Sequence, residues 1–554
     1  MKRIFIFVFL FTLFLPNGCS DVLGPGIRPE RRNLDASQPI ESSLPETPSP
    51  LEPSPTNEST PDTSPTTEVP TPETTRPGDS QPPKEQPPVK SKYQHIPSTL
   101  SSVPEILKGE GWLKHFKEDI LPFWTMASAK GSPEGNFPTE RKMDGNLTSN
   151  TTRRPRMLAR QTYLYAVGYL MTGDTDLLSL AQKGCKWLME HAHDKANGGW
   201  HELLDSSGKA LGTGPKWAQD TAYALMGPAA CYFLTRDSKY EKVILSTRDL
   251  LFSNKYWDAG NQRIKDGLDA SLQSERDQEN DGGWELVAQL DQINAYMLLV
   301  QPTLSSQSRR VQMLQDMKTL GQTMIKHFFQ DGIFWGVHNK KGQFGSRHVD
   351  FGHTLKTYWM LLQIDKRLKG SHPFYDFLQK HAKTWLNKAY DGQYGSWANR
   401  MKSQSQMEYN SSWWIFAEAD QFAATMNLLD FSQVSKLSKT LAFWKKHYVD
   451  RQYKGIYDGR KRDGSGWGWP VSSTSKCNQW KNGYHAAEHA LIMYILGHHL
   501  EKKAVPLYFA VPANQVQTFV PRPYIFQGRV VKREDLGDAG GGLRKVRVTF
   551  DGIY

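Results

Sequence analysis

Six turns built on glycine and an aromatic residue punctuate the chain: EGNFPTE at Gly135, NGGWHELLD at Gly198, DGGWELVAQLD at Gly282, DGIFWGVHN at Gly332, DGQYGSWAN at Gly392 and YKGIYDGRKRDG at Gly455. The steps between them are 63, 84, 50, 60 and 63 residues. About sixty residues holds two ordinary helices and two connections. Between the turns, apolar residues recur at helical spacing, as in RQTYLYAVGYLMTG, DLLSLAQKGCKWLMEHA, DTAYALMGPAACYFLTRD, INAYMLLVQPTL, HTLKTYWMLLQIDKRL, WWIFAEADQFAATMNLLD and HAAEHALIMYILGHHL. A run of such units predicts an all-α fold over residues 93–500, an (α/α)6 toroid whose inner helices line a central pocket. An open helical solenoid is the alternative. The Trp, Asp and His residues in the turns favour the closed form, because they suit the rim of a pocket.

The two ends of the chain depart from this pattern. Residues 1–19, MKRIFIFVFLFTLFLPNGC, carry Lys2 and Arg3 and then an apolar run too short to span a bilayer, which reads as a signal peptide. LPNGC resembles a bacterial lipoprotein cleavage box, making Cys19 the candidate lipidation site and the bacterial cell envelope the expected location, with secretion as the alternative. Residues 20–92 hold 17 of the 33 prolines and no aromatic residue. A segment this poor in apolar side chains predicts a disordered, extended tether. Residues 501–554, with VPLYFAVP and LRKVRVTF, predict a small β extension whose role the sequence does not state.

The net charge of +11 is not gathered into a Lys/Arg stripe, and no nucleic-acid motif accompanies it. Nucleic acid is therefore not an expected partner; a basic surface suits an anionic envelope as well. The 17 Trp, all at or after Trp112, suit either a large core or the faces of sugars. Beyond Cys19, Cys185, Cys231 and Cys477 have no metal-ligand spacing. One disulfide among the three is possible, with the pairing open.

Five motifs then fall in order: ILPFW (Ile120–Trp124), RMLARQTYLYAVGYLMTGD, GHTLKTYW, SSWWIFAEAD and WKNGYHAAEHALIMY. Together they resemble the N-acylglucosamine 2-epimerase family, which includes cellobiose 2-epimerases and mannose isomerases, over roughly residues 108–500. The resemblance implies His353 and His485 as catalytic residues. It implies Arg160, Trp359, Trp414 and Glu418 as substrate-binding residues, with Asn294, Lys356 and Glu488 as further candidates. It implies a reducing mono- or oligosaccharide as substrate, and no cofactor or metal. The chemistry agrees: taking a proton α to a sugar carbonyl needs a base that titrates near neutrality, and histidine does. Two histidines on opposite walls of the pocket would take and return the C2 proton, while Arg160 would polarise the developing oxyanion. Each residue also has a plain reading: His353 as a helix cap, Arg160 as an ion-pair partner, Trp414 and Glu418 as neighbours one turn apart.

The chain departs from the family pattern at Lys356 for a glutamate, Glu488 for an arginine, and Leu298 and Gln301 for a histidine and a glutamate. The opposite signs of the first two suggest a Lys356–Glu488 ion pair that retunes the histidines. A sugar epimerase or isomerase is the first expectation. A glycoside hydrolase or lyase on the same toroid, drawing on acids such as Asp281, Asp350 and Glu418, is the second. A carbohydrate-binding lipoprotein without catalysis is the third.

Overall fold

The computed structural model describes Lys92, Tyr93 and residues 100–554, apart from 213, 279–280 and 467–474. These residues fall in one of the chain's two contact units, Glu85–Tyr554; the other, Met1–Lys84, lies outside the described residues, as do the expected signal peptide, Cys19 and nearly all of the expected tether. No helix among the described residues is long and apolar enough to cross a membrane.

Helices alternate between an outer and an inner ring. The outer set is α1 (Gly109–His115, continued through Thr125), α3 (Thr175–Trp187), α5 (Ser238–Leu251), α7 (Gln307–Phe328), α9 (Tyr375–Ala389) and α11 (Val434–Phe443). The inner set is α2 (Pro155–Thr172), α4 (Ala218–Thr235), α6 (Leu286–Gln292, continued to Val300), α8 (Phe351–Arg367), α10 (Trp413–Met426) and α12 (Tyr484–Leu500). Outer helices bury one stripe, such as Leu177, Leu178, Ala181 and Cys185 of α3, and begin on caps such as Asp174, Asp237 and Ser306. Inner helices are buried nearly all round: every residue of α12 is, and all of α2 but Thr172. The ring closes where α12 packs on α2. The molecule is thus the predicted (α/α)6 toroid.

Four of the six units pass from outer to inner helix through a short hairpin with a common device. Asp194, Asp258, Asp391 and Asp450 each accept a backbone N–H two or three residues on, closing an Asx turn. Each also meets one cation: Lys216 at 2.6 Å, Arg263 at 3.1 Å, Arg462 at 2.6 Å and Lys476 at 2.7 Å. The third unit corrects the expected repeat. Its hairpin is Trp257–Asp258 paired with Arg263–Ile264, not the turn at Gly282, and the supposed turn segment ELVAQLD enters helix α6 at Leu286. The Gly–aromatic signature pointed to the wrong glycine because this hairpin turns on Asp258 and Asn261 instead.

The C-terminal extension is a three-stranded antiparallel sheet, β1 (Val505–Pro512), β2 (Arg529–Gly540) and β3 (Leu543–Asp551), with β3 in the middle. Its apolar face, including Leu507, Phe509, Val511, Val546, Val548 and Phe550, is fully buried. Strand β1 packs on α2 and α4, and its carbonyls at Phe509 and Pro506 accept from Tyr169 and Tyr494. The extension is therefore built into the C-terminal end of the inner ring. Cys185 of α3 and Cys231 of α4 are free, buried and side by side, Sγ to Sγ 2.6 Å, whereas Cys477 lies against the Thr139 carbonyl.

Candidate active site

The inner helices run parallel and in register, so equivalent positions meet around the axis. The sixth residue of five of them is Arg160 (α2), Tyr223 (α4), Asp291 (α6), Lys356 (α8) and Glu418 (α10); α12 supplies its fifth, Glu488. These six side chains form one buried polar ring. The Arg160 guanidinium lies 3.7 Å from the centre of the Tyr223 ring. The Tyr223 hydroxyl donates to Asp291 at 2.9 Å, and Lys356 Nζ donates to the same Oδ1 at 2.7 Å. Gln421 Nε2 sits 3.4 Å from both Glu418 and Glu488.

The expected Lys356–Glu488 pair is not formed. Lys356 is held by Asp291, and Glu488 accepts from the Tyr524 hydroxyl. The physical reason is reach around the ring: α8 adjoins α6, while α10 stands between α8 and α12. Burial alone would raise the Asp291 carboxyl, but Lys356 outweighs it and holds Asp291 ionised. Lys356 is held above its ordinary value by Asp291, Tyr223 and Glu418 against the pull of burial.

One turn nearer the helix N-termini lie the two histidines. Asp350 caps α8: its carboxylate accepts the His353 backbone N–H at 2.8 Å and faces His353 Nδ1 at 2.7 Å. Burial would raise Asp350, but His353 outweighs it and the carboxyl stays below its usual value. His485 Nδ1 lies 3.1 Å from Glu418 Oε1. Neither ring's Nε2 has a partner among the described residues. Trp414 stands between them, its ring 4.8 Å from that of His353 and 5.9 Å from that of His485. The histidines thus sit on next-but-one helices flanking Trp414, a tighter arrangement than opposite walls.

Glycines make this approach possible. A Cβ on Gly352 would fall 2.5 Å from the Trp414 indole, and one on Gly483 would fall 2.1 Å from Leu164, so both histidine-bearing helices begin where a side chain would block the packing. Asn294 donates to the Tyr484 hydroxyl at 2.8 Å, and the Tyr484 ring centre is 4.2 Å from that of His485. The structure therefore brings His353, His485, Trp414, Glu418, Glu488, Lys356, Arg160 and Asn294 into one region. Trp359 is placed apart from the histidines: it is fully buried in the core, with no partner for its indole N–H.

Glu418 is buried without a cation in contact, and burial, with Glu488 and Asp291 adding to it, raises its carboxyl to about 8. Burial, then Arg160 and Lys356, keep His485 well below its ordinary value. The Glu418–His485 contact is therefore between neutral partners at pH 7. The Glu418 O–H donates to Nδ1, which leaves the proton of the imidazole on Nε2. At His353 the partner differs: ionised Asp350 accepts from Nδ1–H.

Sequence reasoning missed Asp350 as a partner of His353, together with Tyr223, Asp291, Tyr484 and Tyr524. Only Asp350 left a signal, as an N-cap residue three before the histidine. Lys481 was also missed: buried, its Nζ lies 4.5 Å from the Trp413 ring, and burial lowers its ammonium to about 8. Glu418, His485 and Glu488 offer three potential metal-ligand atoms within 4.8 Å of one another, but each residue is already hydrogen-bonded and Arg160 and Lys356 are close by. The acids considered for hydrolysis are engaged separately: Asp281 with Lys340, Asp350 with His353, Glu418 with His485.

The sequence profile described as N-acylglucosamine 2-epimerase (GlcNAc 2-epimerase) matches residues 135–486. No curated protein matches the chain. Among solved structures, cellobiose 2-epimerase from Spirochaeta thermophila DSM 6192 is 18% identical with a TM-score of 0.60, covering 71% of this chain and 97% of its own. Cellobiose 2-epimerase from Bacillus thermoamylovorans B4167 is 16% identical with a TM-score of 0.59, covering 70% and 99%. A D-mannose isomerase is 17% identical with a TM-score of 0.60, covering 71% and 99%. At these identities the likeness is one of fold.

Proposed function

The chain belongs to the N-acylglucosamine 2-epimerase family and is a carbohydrate epimerase or isomerase, and from this premise we propose that it moves the C2 proton of a reducing sugar through an enediolate, with His353 and His485 as its two proton-transfer groups. The observation that carries the reading is the pair of imidazoles on either side of Trp414, each with Nδ1 on a carboxyl group and Nε2 unpartnered. His353 Nε2 takes the C2 proton of the open-chain aldose, and the electron pair moves to the carbonyl oxygen. Arg160, which has no ion-pair partner among the described residues, and the parallel helix N-termini stabilise that oxygen. His485 passes its Nε2 proton to the other face of C2 while Nδ1 takes the Glu418 proton, giving the epimer; His353 is then protonated and Glu418 ionised, and exchange with solvent resets both. Return of the proton to C1 gives the ketose instead, so the two reactions differ only in where the second transfer lands.

The test is proton exchange in D₂O with a panel of reducing mono- and disaccharides, followed by NMR at C2. Exchange that disappears in His353→Ala and in His485→Ala supports the reading, and the product separates epimerase from isomerase. Exchange that survives either change removes that histidine from the reaction. Binding without exchange makes the protein a carbohydrate-binding member of the fold.

The leader and LPNGC box support an envelope location with the acyl anchor on Cys19. Incorporation of labelled fatty acid that is lost in Cys19→Ala tests it; incorporation that persists, or none in the parent chain, removes the anchor.

A further inference from the structure

We propose that Tyr524, supplied by the C-terminal extension, is a positioning residue of the active site: donating to Glu488 from beneath the polar ring, it places the negative charge of the buried glutamate pair on Glu488 and leaves Glu418 the hydrogen-bearing partner of His485. The proposal rests on the functional reading above and deepens it.

Glu488, like Glu418, has no Lys or Arg in contact among the described residues, since Lys356 is taken by Asp291. Its donors come from elsewhere. The Tyr524 hydroxyl donates to Oε1, and Gln421 Nε2 lies 3.4 Å from Oε2. Tyr524 is itself supported: its oxygen lies 2.8 Å from the Tyr163 hydroxyl. Both phenols are raised well above their ordinary value, by burial first and by Glu488 next, so both keep their protons. The donor order that satisfies all three groups is Tyr163 to Tyr524 to Glu488. Facing Glu488 are also Glu418 of α10, Lys356 of α8 and Tyr484 of its own helix. Burial raises Glu488, with Tyr524 foremost among the groups opposing this. Two adjacent buried carboxyls hold one proton more readily than none, and the one with the better donors gives it up.

The backbone around Tyr524 fits this purpose. Its φ is +61°, a conformation bulky L-residues rarely adopt, and its side chain is 4% exposed. The segment is pinned to the floor of the ring on both sides. Arg367 of α8 donates to the Ile525 carbonyl at 2.9 Å, and Arg236, which caps α4, donates to the Val520 carbonyl at 3.0 Å. Tyr524 lies beyond residue 486, where the family match ends.

Tyr524→Phe in the full chain removes one oxygen and keeps the ring. It is expected to lower kcat about tenfold at unchanged KM, because the phenol touches Glu488 and not the sugar. It is also expected to move the alkaline fall of kcat to lower pH, since Glu418 then ionises more easily. A second readout needs no activity. In infrared difference spectra at pH 7, Glu418→Gln should remove a protonated-carboxyl band in the otherwise native chain. In the Tyr524→Phe background the band should persist after Glu418→Gln, because Glu488 then holds the proton. A native pH profile and a native band pattern in Tyr524→Phe would overturn the proposal and leave Tyr524 a packing residue. If no sugar exchanges at all, the functional reading fails, while the infrared arm still decides the role of Tyr524.

Discussion

Asp291 and Lys356 meet at 2.7 Å, Oδ1 to Nζ, and join α6 to α8 inside the ring, where neither side chain exceeds 3% exposure. Two charges this far from water hold together only as a pair. Lys356→Met alone is expected to lower stability by about 3–5 kcal/mol, because it strands Asp291. Lys356→Met combined with Asp291→Leu should recover most of that loss. Urea unfolding of both variants measures it; a single variant as stable as the parent would show that the pair is not a closed structural unit.

Glu418 sets an alkaline limit. Its carboxyl, raised to about 8, is protonated below that pH and donates to His485. Above it the proton is lost, His485 turns its Nδ1–H toward the carboxylate, and Nε2–H is no longer offered to the sugar. The expected result is a fall in kcat above about pH 8; in Glu418→Gln, whose amide donates at every pH but passes no proton, the remaining kcat is lower and the alkaline limb is absent. The same alkaline limb in both proteins would sink the assignment.

Among the described residues, Arg160 has a buried Nε without a partner and no carboxylate in contact. Arg160→Met is expected to lower kcat by roughly 10²–10³-fold, as removal of an oxyanion donor does. Its melting temperature should equal or exceed that of the parent, because an unpaired buried cation is removed. A large loss of stability instead would identify Arg160 as structural.

Stability should be level below about pH 6.5 and fall above it. Asp266 and Glu418 are both raised to about 8 by burial, so between their unfolded values and about 8 the folded chain binds more protons than the unfolded one. Stability therefore falls as pH rises from 6.5 to 8. His115 is lowered to about 4 and His485 is also lowered, both by burial, so below 6.5 their protons on the unfolded chain offset those that Asp266 and Glu418 hold in the folded one, and stability levels off. Thermal melts at half-unit steps from pH 5 to 8 check both limbs. A melting temperature that climbs steadily to pH 8 would contradict the burial of these acids.

The sequence by itself determined the helical repeat, the toroid, the β extension and the two histidines that the fold brings to either side of Trp414. Each is written in local pattern: apolar spacing, glycine turns, and motifs such as GHTLKTYW that carry a residue and its helix position together. Gly352 shows how local this information is, since its neighbour His353 could be read at once, while the clash a Cβ would make with Trp414 lies 62 residues away in the chain. Only the tertiary structure decided the partners. Lys356 and Glu488 have opposite charges and similar helix positions, so sequence reasoning paired them; the order of helices around the ring gave Lys356 to Asp291 instead. Trp359 follows His353 by six residues, and a helix turns through about 600° over that interval, so the indole leaves the pocket for the core. Tyr524 comes from beyond the repeat with no motif of its own, and its contact with Glu488 exists because the extension folds back under the ring. Periodicity and local motifs are properties of a chain; which buried charge meets which donor depends on where distant helices come together in low dielectric.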